Sequence, residues 1–154
     1  MIQRIQTIFL LVVVAALITF NFFPYWESQP NEDGASHVLM PYAYLVLEGE
    51  ASTPAFGLFS VVAGLSILAA VIGIIEIFQF KNRMTQMKIG ALNSVIMTAV
   101  LGLMTYFVLD IQKSFAGSFG TGLFILAIAM IFNIMARRAI QKDEKLVKSM
   151  DRLR

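Results

Sequence analysis

The side chains able to do chemistry are few. His37 is the single histidine, and cysteine is absent. That removes disulfides, thiol redox chemistry and thiolate nucleophiles together. It also leaves no donor set for an ordinary zinc site or for haem held by two histidines. No serine sits in a pattern that pairs it with a base, as nucleophilic hydrolysis requires. The run Gly117, Ser118, Phe119, Gly120, Thr121, Gly122 resembles a phosphate cradle in composition. It lacks the lysine of a P-loop and follows no buried strand, so it reads as a turn entering a helix. No catalytic, cofactor-binding or metal-ligating residue is named from the sequence, and the chain reads as a non-enzyme.

One carboxylate does stand inside an apolar run. Glu76 is flanked by Ile74, Ile75, Ile77 and Phe78, and an ionisable group in such a run marks a functional position by default. With Gln79 and Asn93 it forms a candidate intramembrane polar site. Glu76 lies about one turn before Lys81, so its carboxylate can also snorkel to an interface or pair with Lys81 or Arg83. Asn93, Asn133 and Gln79 are suited to hydrogen bonds between helices. Asp110 has Lys113 three residues on, within reach of an ion pair.

The elements that carry these residues follow from hydropathy. Of 154 residues, 58% are hydrophobic and 14% charged, and the mean hydropathy is +0.74, far too apolar for a water-soluble domain. A spanning helix takes about 20 apolar residues. Four runs of that order occur, at about 5–23, 55–80, 89–109 and 119–136. With no linker between them, the expectation is one domain over 1–154: an all-α, four-transmembrane-helix bundle. The first run is read as an uncleaved anchor, because no small-residue cleavage site follows it, only Asn21, Phe22, Phe23, Pro24, Tyr25 and Trp26.

Eleven of the 12 basic residues fall at Arg4, at Lys81, Arg83 and Lys88, and from Arg137 onward. Residues 24–54 carry five acids and no Lys or Arg. The positive-inside rule then predicts both termini in the cytoplasm and an external loop over 24–54. Within that loop, His37 to Met40 and Tyr42 to Leu47 are β-prone runs bounded by turn residues. They fit a small β-hairpin or an extended, partly re-entrant segment. Thr53 and Pro54 read as the N-cap and first position of the second helix.

Gly90, Ser94, Thr98 and Gly102 recur every four residues along the third run, which marks a helix-packing stripe. Past Ala136, apolar residues return at spacings of three and four while basic residues collect opposite. The fourth helix is thus expected to continue into a cytoplasmic amphipathic tail over 137–154. Its interaction residues are Lys142, Asp143, Leu146, Lys148, Met150 and Arg152, facing anionic lipid headgroups, a protein partner or a second copy. Nucleic acid is not an expected partner.

Three segments carry a family resemblance: the opening Met1-Ile2-Gln3-Arg4-Ile5-Gln6-Thr7, the loop Phe80-Lys81-Asn82-Arg83 followed by Gln86, and the tail from Ala139 to Ser149 with Asp151-Arg152-Leu153-Arg154. Together they resemble a bacterial family of small four-span membrane proteins known as domain of unknown function 4293. The resemblance implies an inner-membrane protein and brings no activity with it. The functional expectation is a non-enzymatic accessory or scaffold subunit. Its rival is a small transporter or channel subunit with a polar path near Glu76.

Overall fold

The computed structural model describes residues 3–30, 34–48, 51–80 and 82–151. In chain order the elements are α1 (Gln3–Phe20), β1 (Trp26–Ser28), β2 (Ala35–Leu39), β3 (Tyr44–Glu48), β4 (Ala51–Ala55), α2 (Phe59–Phe78), α3 (Arg83–Ile111), β5 (Gly117–Phe119) and α4 (Thr121–Asp151). α1 packs on α2 and α4, and α3 packs on the same two. The four helices therefore stand side by side in a closed ring.

Each helix buries one narrow stripe. On α1 it holds Leu10, Val13, Leu17 and Phe20; on α3 it holds Gln86, Gly90, Asn93, Met97, Val100, Met104 and Val108. Alternating spacings of three and four are those of helices crossing at a shallow angle. The opposite faces carry Ile67, Val95 and Ile131, each more than half exposed. Large aliphatic side chains turned outward on every helix suit a hydrocarbon solvent and not water.

The sheet covers one end of the helices. Its five strands are antiparallel in the order β4-β3-β2-β1-β5. Aromatic rings join it to the helices. Tyr25 stands edge-on to Phe20 and Phe119 at 6.3 and 6.0 Å, and its hydroxyl lies 3.3 Å from Thr105 Oγ1. His37 packs on Phe115 at 3.8 Å, and its Nδ1 shares a 2.8 Å hydrogen bond with the Tyr44 hydroxyl. Gly34 opens β2 at φ 76°, a left-handed conformation that favours glycine.

Several expectations need correction. The protein is not all-α, and among the described residues three helices, not four, are long and apolar enough to cross a membrane: Phe59–Phe78, Arg83–Ile111 and Thr121–Val147. The apolar part of α1, Ile5–Phe20, falls short of 18 residues. It ends early because the amides of Asn21, Phe22 and Phe23 turn back onto the carbonyls of Ile18, Thr19 and Phe20, and Pro24 cannot continue a helical ladder.

The small hairpin is also wrong: β2 and β3 are the middle of a five-stranded sheet. Residues 117–119, read as a turn, are β5 and pair with Ser28, Glu27 and Trp26 of β1. A pairing between segments some ninety residues apart leaves no local signature. Thr53 and Pro54 do not open α2 but lie in β4, opposite Val46 and Leu45. Edge strands tolerate a proline that cannot donate. The helix begins at Phe59 after Leu58, whose side chain makes no cap.

Candidate functional site

The glycines fix how closely the helices and sheet approach. A Cβ on Gly117 would overlap the Trp26 ring and the Glu27 carbonyl oxygen, and one on Gly120 the Pro24 carbonyl oxygen. The glycine-rich stretch is thus a steric seat for β1 and the preceding turn. Its amides are used there too, Gly120 N–H on Tyr25 O and Gly122 N–H on Pro24 O, both at 2.8 Å.

Toward the opposite end of the helices a polar layer is enclosed between α2, α3 and α4, and Gly90 is its hub. A Cβ on Gly90 would lie 2.6 Å from Glu76 Oε1 and 3.2 Å from Arg137 Cγ, so the missing side chain admits both. The Gly90 carbonyl accepts from Asn133 Nδ2 at 3.2 Å and from Ser94 Oγ at 3.0 Å. Asn133 Nδ2 also donates to Ser94 Oγ at 2.8 Å, and Arg137 reaches that oxygen at 3.5 Å. Gln86 Nε2 donates to the Glu76 carbonyl at 3.1 Å.

Glu76, Asn93 and Asn133 are fully buried and Gln86 nearly so. Among the described residues, both Glu76 carboxylate oxygens, the Asn93 amide and the Asn133 carbonyl oxygen have no hydrogen-bond partner. Enclosed acceptors of this kind call for water, a proton or a cation to complete them. Toward the sheet the layer stops at Val13, Leu17, Met97 and Val100, all fully buried. It is closed by apolar side chains on that side.

The sequence-named residues separate into groups. Glu76 and Asn93 share this layer. Gln79 does not join it; half-buried, it caps α2 with its backbone N–H on Glu76 O and Ile75 O. Of the packing stripe, Gly90 is buried and Ser94 half-buried inside the layer, while Thr98 and Gly102 face outward, with nothing within 4 Å of a Cβ on Gly102. Asp143 is turned inward, accepting from Gln6 Nε2 of α1 at 2.7 Å in a buried contact. Lys142 and Leu146 are exposed. Arg152 and the side chains of Lys148 and Met150 lie outside the described residues.

Two members escaped the sequence reading. Arg137 belongs to the polar layer and not only to the basic tail, and its position four residues after Asn133 on one helix face was the available signal. Gln6 had none, since its partner is 137 residues away.

Three helices of spanning length among the described residues, apolar outer faces and an enclosed polar layer are those of a membrane-associated helical protein that also carries a five-stranded sheet. The chain belongs to the family described as domain of unknown function 4293 (DUF4293), which matches residues 2–153. No curated protein matches it.

Proposed function

We propose that this protein is a multi-pass component of a bacterial inner membrane that serves as a non-enzymatic accessory subunit, presenting the end of α4 to a protein partner. One observation carries the reading: α4 runs unbroken for 31 residues out of the apolar layer, and the buried Gln6–Asp143 hydrogen bond ties its later turns to α1. The tail is thereby held in one orientation, with Leu146 and Val147 nearly half exposed beside exposed Lys142 and Lys145. An apolar pair framed by lysines, held on a preordered helix, suits helix-in-groove recognition.

The excess of Lys and Arg at this end supports a cytoplasmic position for it and for both termini. The acid-bearing sheet end then faces the other side. Photoreactive residues at Leu146 and Val147 in native membranes test the proposal, with lipid-facing Val95 as control. A defined partner captured at the tail sites alone is the expected result, and capture of lipid only refutes it.

The buried Glu76 carboxylate favours one second reading, a proton-linked transporter or channel subunit loaded from the basic end. Under it, Glu76→Gln abolishes proton flux in liposomes while the protein remains folded. Unchanged flux refutes it. The apolar closure at Met97 and Val100 obliges such a path to open by helix movement, which is why it ranks second.

A further inference from the structure

Polar atoms left without a partner gather in one part of this protein. Nine buried side-chain nitrogens and oxygens have no hydrogen-bond partner among the described residues, and seven of them belong to the layer around Gly90. Five are oxygens: both of Glu76 and one each of Gln86, Asn93 and Asn133. Two are nitrogens that donate, Asn93 Nδ2 and Arg137 Nε.

Measured contacts tie these groups together. The Cβ position of Gly90 lies 2.6 Å from Glu76 Oε1 and 3.2 Å from Arg137 Cγ, so carboxylate and guanidinium side chains stand against one glycine. Asn133 Nδ2 rests on the Gly90 carbonyl at 3.2 Å, and Gln86 Nε2 on the Glu76 carbonyl at 3.1 Å. Asn93 Nδ2 lies 3.6 Å from the Cβ position of Gly73, which is one turn before Glu76 on α2. Yet neither Glu76 oxygen receives a hydrogen bond.

We infer that the layer binds internal water, about two or three molecules at roughly three hydrogen bonds each, which bridges Glu76 to Arg137 and Asn93. The mixture of unpartnered donors and acceptors selects this ligand, because water gives and takes hydrogen bonds at once. A metal cation would answer the oxygens but not the N–H groups of Asn93 and Arg137, and the Arg137 charge beside Glu76 would repel it. An anion would meet five acceptor oxygens. A proton on Glu76 could serve at most one of the other oxygens.

Supply is short-range at the basic end. Glu76 lies two residues from the end of α2 and Gln86 three residues from the start of α3, about one helical turn from the helix ends. The inference stands without either functional reading, although the second would draw its protons through this water. The liposome flux assay tests that reading separately.

The full chain, isotope-labelled in perdeuterated detergent micelles, provides the test through magnetic-resonance cross-peaks between water and amide protons. The side-chain amides of Asn93 and Asn133 should show water cross-peaks of the sign that marks residence longer than molecular tumbling. The backbone amide of Met104, fully buried on the same helix about three turns nearer the sheet, should show none. A soluble gadolinium chelate should broaden the exposed Asn82 amide and spare Asn93. Glu76→Met removes two of the five unpartnered oxygens and should weaken the Asn93 cross-peak by about half.

Absence of water cross-peaks at Asn93 and Asn133 overturns the inference. So does a cross-peak of equal strength at Met104, which would mean a solvated core, or broadening of Asn93 by the chelate, which would mean bulk solvent. Resonances of Asn93 and Asn133 that move when sodium replaces N-methylglucamine assign the layer to a cation instead. A cross-peak unchanged in folded Glu76→Met removes the bridge to Glu76. Should Glu76→Met not fold, the measurements on the unaltered chain decide.

Discussion

Gly90→Ala is the sharpest test of the polar layer. The added methyl would stand 2.6 Å from Glu76 Oε1, 3.1 Å from its carboxyl carbon and 3.2 Å from Arg137 Cγ, whereas carbon contacts are at ease near 3.5–4.0 Å. The far end of the Glu76 side chain can yield in part by a rotamer change within the enclosed polar layer. Otherwise α2, α3 and α4 must separate. Overpacking of this kind costs about 1–3 kcal/mol. Against it stands the gain of about 1 kcal/mol in helix propensity when alanine replaces a mid-helix glycine.

Gly102→Ala isolates that gain, because nothing lies within 4 Å of its Cβ. Gly102→Ala should thus be neutral or stabilising, and Gly90→Ala about 1–3 kcal/mol worse than it. Denaturant titration in mixed micelles, read by the fluorescence of the single tryptophan, measures both. In a Glu76→Ala background the difference should fall below about 1 kcal/mol, since the principal clash is gone. Equal stabilities of Gly90→Ala and Gly102→Ala, or a penalty unchanged when Glu76 is shortened, would refute the packing argument.

Other expectations follow from single contacts. Asp143→Ala leaves the Gln6 amide buried without its acceptor and should cost about 1–3 kcal/mol, with faster amide exchange in the last turns of α4; unaltered exchange there would mean the tail is held by something else. Gly117→Ala must displace the Trp26 ring, so the tryptophan emission should shift to the red and stability fall by about 1–3 kcal/mol, while Ser118→Ala, at an exposed position, should do neither.

Tyr25 gives a pH prediction. Burial pushes its phenol above 10.0, with the Thr105 hydrogen bond pulling weakly the other way. Because the folded-state value lies above the unfolded one, this contribution to stability is complete below pH 10 and lost as pH rises through the folded value. Absorbance titration should show a late-ionising phenol that Tyr25→Phe removes.

Much was legible in the chain itself. Apolar runs of about 20 residues between charges announce membrane helices, because a bilayer dictates both their length and their composition. The asymmetry of Lys and Arg separates the two ends, and Glu76 with Asn93 stands out because an ionisable or amide group in hydrocarbon needs a reason. The continuation of the last helix into an amphipathic tail is written in its period.

What tertiary structure alone decided is every relation between distant segments. The sheet needs β5 from the connection before α4 to flank β1, and pairing three residues against three carries too little local pattern to be seen. The end of α1 at Phe20 was set by a turn over Asn21 to Phe23, two of whose three residues are as aromatic as the helix before them is apolar. Gly90 reads in sequence as one member of a stripe, but its partners come from two other helices. Arg137 reads as tail charge, yet it reaches Ser94. A sequence shows which residues must leave water; only packing determines which of them meet, since helix faces of the same apolar character differ solely in the neighbours that fit against them.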